Sequence, residues 1–218
     1  MNAGRRMARG GWLVALAMLA GCAASEPSRF YTLSPQVPAA EATAASPTPV
    51  DAARGNVALA PVQVPRYLDR PQLVTRTDAN TLRLSEFDKW SEPLADMIGR
   101  VLSEDLARRL PHQRVFVLPV RQAVPIDRIV DVQIMRFDAD ASGLVTLDAR
   151  WQVFADAGRS LLAARDSVVR EPAGGAGEAA TVAATVAAMS RALSRLSADI
   201  AAALGGNRDG NVSLSRAP

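Results

Sequence analysis

The chain has little with which to do covalent or metal chemistry. It holds one cysteine, Cys22, and one histidine, His112, in 218 residues. A single cysteine excludes a disulfide within the chain. A zinc-type centre needs more thiolate or imidazole ligands than these two residues supply. There is no Gly-x-Ser-x-Gly elbow, no P-loop and no dinucleotide fingerprint. Gly174-Gly175-Ala176-Gly177 precedes a helical pattern but lacks the Lys-Ser/Thr of a P-loop, and it reads as a hinge. His112 stands beside Pro111 at a helix end, where a partly exposed imidazole meets carbonyl groups. The reading is a protein that is not an enzyme, with no cofactor and no metal.

Positive charge is also scarcer than it first looks. The formal net charge is +3, and Arg5, Arg6 and Arg9 carry all of it; residues 1–21 contain no acid, and the remainder balances at 22 bases and 22 acids. That removes the case for a nucleic-acid partner. Aromatics are few, alanine is abundant, and neither an internal repeat nor a second domain is visible.

Long apolar runs are missing too. Gly11 to Ala20 is the apolar stretch of the N-terminus. As a helix it would rise about 15 Å, against a bilayer core of roughly 30 Å. A basic start, a short apolar run and small residues at its end describe a secretory signal peptide over residues 1–21. Leu19-Ala20-Gly21-Cys22 resembles the bacterial lipobox, in which the cysteine is acylated and becomes the first mature residue. Several acyl chains, at roughly 0.8 kcal/mol per buried CH₂, would make the anchor effectively permanent. An Asp after the cysteine favours inner-membrane retention in enteric bacteria. Ala23 stands there, which points to the outer membrane.

Residues 22–28 are then anchor and spacer, and 29–204 a single domain. Arg29 to Ser34 reads as a strand. The six residues before it span at most about 20 Å, so the domain would sit against the membrane surface. Residues 35–55, rich in Pro, Ala, Ser and Thr, read as a mobile loop. Asn56 to Val64 is a strand in which Pro61 signals an edge position or an early end.

Gln72 to Thr77 and Thr81 to Ser85 read as a hairpin turning at Asp78-Ala79-Asn80. A helix follows from Leu94 to Leu110, with Ser91 as N-cap and Pro93 in the first turn. Leu94, Met97, Ile98, Val101, Leu102, Leu106 and Leu110 form its apolar stripe. Asp96, Glu104 and Asp105 each precede an arginine by four residues, the favoured order for a pair worth roughly 0.2–0.5 kcal/mol. Glu104-Asp105 reads as a solvated face.

Val115 to Leu118 is a short strand. Arg128 to Phe137, the alternating stretch Val145 to Val153, and Leu161 to Arg170 form an antiparallel meander with turns at Ser142-Gly143 and Asp156-Ala157-Gly158. A last helix, from about Glu178 to Leu204 with Gly205 as its stop, repeats Val182, Val186, Met189, Leu193, Leu196 and Ile200; it reads as a cover for the meander rather than a coiled-coil seam. Residues 205–218 read as a disordered tail. The fold class is α+β: a mixed, largely antiparallel sheet with two long helices packed on it. Asp69, Arg70, Trp90 and Glu92, at the ends of elements, are the candidate partner contacts.

Several stretches resemble one family. They are Val64-Pro65-Arg66-Tyr67-Leu68-Asp69-Arg70-Pro71-Gln72-Leu73-Val74-Thr75-Arg76, Phe87-Asp88-Lys89-Trp90-Ser91-Glu92-Pro93-Leu94, Arg136-Phe137-Asp138, Ala149-Arg150-Trp151, and Ala188-Met189-Ser190-Arg191-Ala192-Leu193. Together they are similar to the ABC-type transport auxiliary lipoproteins, as in the paraquat-inducible (Pqi) membrane-integrity system. The resemblance implies an outer-membrane lipoprotein facing the periplasm. Its expected partners are an inner-membrane MCE-type protein with its permease and ATPase, the membrane through the lipid anchor, and further copies of itself in a homo-oligomer. It brings no catalytic residues. A rival reading is a lipoprotein that assembles or activates another envelope complex, in secretion or wall synthesis. A lipid-anchored hydrolase is argued against by the lack of site chemistry.

Overall fold

The computed structural model describes residues 26–36, 55–120, 124–174 and 181–206. Cys22, the N-terminal apolar run, most of the 35–55 loop and the tail beyond Gly206 lie outside them. In chain order the elements are β1 (Arg29–Tyr31), β2 (Asn56–Leu59), β3 (Gln72–Arg76), β4 (Leu82–Trp90), α1 (Leu94–Arg109), β5 (Arg114–Val117), β6 (Arg128–Asp140), β7 (Leu144–Ala155), β8 (Ser160–Pro172) and α2 (Val182–Gly206). The expected α+β fold is present: one mixed sheet with two helices packed on it.

The sheet is built outward from β6. One edge of β6 pairs antiparallel with β7 along nearly its whole length, and β7 pairs antiparallel with β8. The other edge is divided. Its start pairs parallel with β2, and its end, at Ala139 and Asp140, pairs parallel with β3. β2 carries β5 in parallel, while β3 carries β4 in antiparallel and β4 carries β1 in parallel. The long antiparallel ladders belong to the meander, and the parallel ones are short.

Alternation explains which side is covered. Val130, Val132 and Ile134 of β6 and Val145, Leu147, Ala149, Trp151 and Val153 of β7 are all buried. The β6–β7 register shifts between Ile134 and Arg136, and the phase of burial shifts with it, so Phe137 and Ala139 point inward again. That slip hides the last turn of the strand pattern, and β6 runs on to Asp140 rather than ending at Phe137. Pro61 marks an early end of β2 at Leu59. It does not mark an edge, since β2 lies between β5 and β6.

Every residue of the α1 stripe is buried. Ser91 is not the N-cap. Its N–H donates to the Tyr31 carbonyl at 2.9 Å, extending the β1–β4 ladder, and the cap position falls to Pro93 without a side-chain bond. On α2, Ala188 and Ala192 are as buried as Leu193 and Leu196, so small side chains admit close packing of the helix against the sheet and α1. The described helix starts at Val182, where Thr181 Oγ1 accepts the Ala184 N–H at 3.1 Å, and it runs through Gly205 to Gly206 instead of stopping at Gly205. It covers the meander and α1, as a sheet-packed helix should.

Asp105 departs from the expected solvated face. Glu104 is half-buried and pairs with Arg108 at 3.6 Å and Arg100 at 3.5 Å, but Asp105 is fully buried, with the Gln36 backbone beside it. Neither of its carboxylate oxygens has a hydrogen-bond partner among the described residues, and Arg108 stands 3.6 Å away. Burial raises its pKa to about 6, against the opposing pull of Arg108 and the Gln36 backbone. The adjacent Arg109 crosses to α2, donating to the Ser194 and Ser197 hydroxyls at 3.0 and 3.1 Å.

Two outcomes follow. Leu102, fully buried on α1, should cost about 2–5 kcal/mol when cut to alanine, whereas alanine at the exposed Phe30 should stay within about 0.5 kcal/mol; urea unfolding measures both. Asp105 takes up its proton more readily in the folded state, so stability should fall as pH rises from about 4 to about 6 and then level off, by roughly 3 kcal/mol in all. Asp105→Asn should flatten that slope and raise stability at pH 7.5. Equal pH slopes for the two proteins would assign the titration elsewhere.

Candidate functional site

The two candidate contact segments, distant in sequence, lie side by side. Trp90 N–H donates to the Pro71 carbonyl at 2.7 Å, which sets the end of β4 against the turn before β3. Within that turn Arg70 N–H donates to the Leu68 carbonyl at 2.8 Å. Asp69 and Glu92 are exposed, and Glu92 lies 4.0 Å from Arg100 of α1. Arg70 is half-buried, with its Nε shielded and without a hydrogen-bond partner among the described residues. Trp90 is different: only 5% exposed, it is a wall and not a surface contact.

What it walls is an opening in the β3–β4 hairpin. The ladder passes from Gln72↔Lys89 directly to Val74↔Leu84, so Leu73 alone faces the four residues Ser85 to Asp88. The slack in β4 is gathered by local bonds: Ser85 Oγ donates to the Asp88 carboxylate at 2.6 Å and accepts the Asp88 N–H at 3.2 Å. Beneath this wide bulge lies a cavity of about 80 Å³. Leu68, Leu73, Trp90, Leu94, Phe137 and Met189 form its apolar walls, and Arg83, Ser85, Asp88 and Thr185 add polar groups. Three pieces of chain that are remote in sequence therefore meet there: the hairpin with the start of α1, β6, and the first half of α2.

Asp88 also ties the first strand to the sheet. Arg29 Nε donates to it at 2.7 Å and the Tyr31 hydroxyl at 3.1 Å. Burial by itself would raise this carboxyl; the hydrogen bonds from Ser85, Arg29 and Tyr31 outweigh it and hold the group below the usual carboxylate range. A second buried acid, Asp138 on β6, accepts from Tyr67 at 2.9 Å, Arg76 at 3.2 Å and Arg136 at 2.9 Å, joining the segment before β3 to β3 and β6. Burial, and then the Asp138 charge it faces, push the Tyr67 phenol up to about 12. A third, Glu171 on β8, pairs with Arg191 and Arg195 of α2. All three acids join elements.

Sequence reading missed the roles of Ser85, Asp88 and Asp138, although Asp88 and Asp138 fall within the stretches quoted above. A signal was there. Asp88 shares its strand parity with Trp90, so an inward Trp90 entails an inward Asp88. Among the described residues no group of three or more His, Cys, Asp and Glu is placed to hold a metal ion, and no helix is long and apolar enough to cross a membrane.

Comparison with known proteins gives the fold and family. The chain is similar to a crystallised uncharacterized protein with 18% identity and a TM-score of 0.65, over 82% of this chain and 99% of that one. It is likewise similar to protein XCC0632 from Xanthomonas campestris, described under DUF330, with 17% identity and a TM-score of 0.63, over 83% of this chain and 98% of that one. No functionally curated protein matches. The model of one family, described as the ABC-type transport auxiliary lipoprotein component, matches residues 31–201, which include both long helices almost entirely and all strands but the start of the first. The chain belongs to the ABC-type transport auxiliary lipoprotein family.

Proposed function

We propose that this protein is the outer-membrane-anchored, periplasm-facing component of an MCE-type intermembrane transport system for lipid or another hydrophobic substrate. In this reading it is not catalytic. It positions the system at the outer membrane and works with an inner-membrane MCE-type protein and its permease and ATPase.

One observation carries the reading beyond the family name. The first strand is locked into the sheet by the Arg29–Asp88 ion pair, and it begins seven residues after Cys22 in the lipobox-like sequence. Fully extended, that spacer reaches only about 20 Å. A lipid on Cys22 would thus hold the folded domain at the bilayer surface, with no long linker to let it reach across the periplasm. Such a short-tethered domain gains from acting in several copies, because linked weak contacts operate at high effective concentration. A homo-oligomer is accordingly part of the proposal.

The core extends from Leu33 to Leu204, so it needs no membrane for its burial. Cys22→Ser, exported by an ordinary signal peptide, should give a stable soluble domain that fails to restore envelope integrity in a strain lacking the gene. Full complementation by that soluble form would refute the tethered role. Mass spectrometry of the membrane-extracted protein should find a mature chain starting at acylated Cys22. Affinity purification from membranes should retain an MCE-type protein; recovery of a secretion or wall-synthesis complex in its place would favour the rival reading.

A further inference from the structure

We propose that the cavity beneath the β4 bulge binds the tail end of a single-chain anionic amphiphile, with the head group met by Arg83. This deepens the transport reading and rests on it for biological meaning; the binding claim is tested separately.

Size fixes the kind of occupant. An apolar cavity of about 150 Å³ is known to take a benzene ring. At about 80 Å³ this one is too small for a ring system or a two-chain lipid, and it suits a few terminal methylenes of one chain. It is not fully enclosed, and the exposed Arg83 is part of its lining, so the rest of such a chain can leave toward solvent. The apolar part of its wall, which includes Leu73, Trp90, Phe137 and Met189, is held by the core on its far side and would take the methylenes, while Thr75, Arg83, Ser85, Asp88 and Thr185 make the rest of the wall polar.

Charge fixes the head group. Two ionisable side chains line the cavity, Asp88 and Arg83. The Asp88 charge is already answered by Arg29 at 2.7 Å, with further bonds from Ser85 and Tyr31. Arg83 is exposed, lines the cavity, and has no ion pair among the described residues. The uncommitted charge at the mouth is therefore positive, and a guanidinium favours carboxylate or phosphate. A cationic or uncharged chain would gain nothing from it.

The backbone shows that the cavity is built rather than left over. Three extra residues in β4 break the hairpin ladder at this point, at the expense of pairing on both strands. Bulges are over-represented beside functional sites, where they re-aim side chains. Here the extra residues bring Ser85 and Asp88 to the cavity wall.

The test uses residues 23–218, since crystallised proteins of this fold consist of little else. The probe is 10-bromodecanoate, whose terminal bromine quenches a tryptophan it touches. Saturable quenching is expected, lost in Trp90→Phe. Arg83→Glu should weaken binding at least about tenfold, and 10-bromodecanol should bind the native protein as weakly. Thr185→Phe, which fills the cavity, should abolish binding; Val182→Phe, at the half-buried start of α2, is the second filling variant should the first not fold, as judged by circular dichroism. Absence of saturable quenching, equal binding of the alcohol, or quenching that survives a folded filling variant would each overturn the proposal. Failure here with Cys22-dependent complementation intact would sink the cavity claim alone. Binding here with full complementation by the soluble form would sink the tethered role alone.

Discussion

The domain depends on one strand having two differently used edges. β6 is long enough to pair with β7 along one side while two separate strands, β2 and β3, share the other. A single long neighbour would have given a plain meander. The divided edge lets the chain between β2 and β3 run alongside β6, bonding to it at Ala60, at the Gln63–Gln133 bridge and through the Tyr67 hydroxyl, and it places Val62 and Leu68 in the core. That arrangement sets two short strand groups, β2–β5 and β3–β4–β1, on opposite ends of one strand. A sheet so branched exposes apolar area on one face that only two helices, lying side by side, can cover.

Buried acids tie the branches together. Asp138 joins β6 to the β3 branch, Asp88 joins β1 to β4, and Glu171 joins β8 to α2. A carboxylate taken out of water is costly unless its lone pairs are met, so each fixes the orientation of its arginines. Registry is the best account of such pairs, because isolated ion pairs add little net stability. Asp105 is the exception: a fully buried carboxyl whose charge is met only weakly, by Arg108 at 3.6 Å and the Gln36 backbone, which makes the fold around it sensitive to proton concentration.

These features suit a component that positions other molecules. Asp88, Asp138 and Glu171 inside the fold are engaged in joining strands and helices, and the cavity, with its mixed wall, is shaped by a backbone bulge. In the proposed tethered role, the short span between Cys22 and the first strand would set where the domain works.

By itself the sequence determined the elements, the core face of nearly all of them, and the family, and it carries a lipobox-like stretch. Those signals are local: the α1 stripe repeats every three or four residues, β7 alternates from Val145 to Val153, and Leu19 to Cys22 is contiguous. Only the tertiary structure decided the division of the β6 edge, the contact of Pro71 with Trp90, the burial of Asp105 and the opening at Ser85 to Asp88. Parallel pairing joins strands far apart in the chain, and a bulge depends on the register of the partner strand, so neither leaves a periodic trace. Asp105 read as a surface acid because helical spacing specifies only the apolar stripe; its burial beside Gln36, a residue remote in sequence, leaves no local trace.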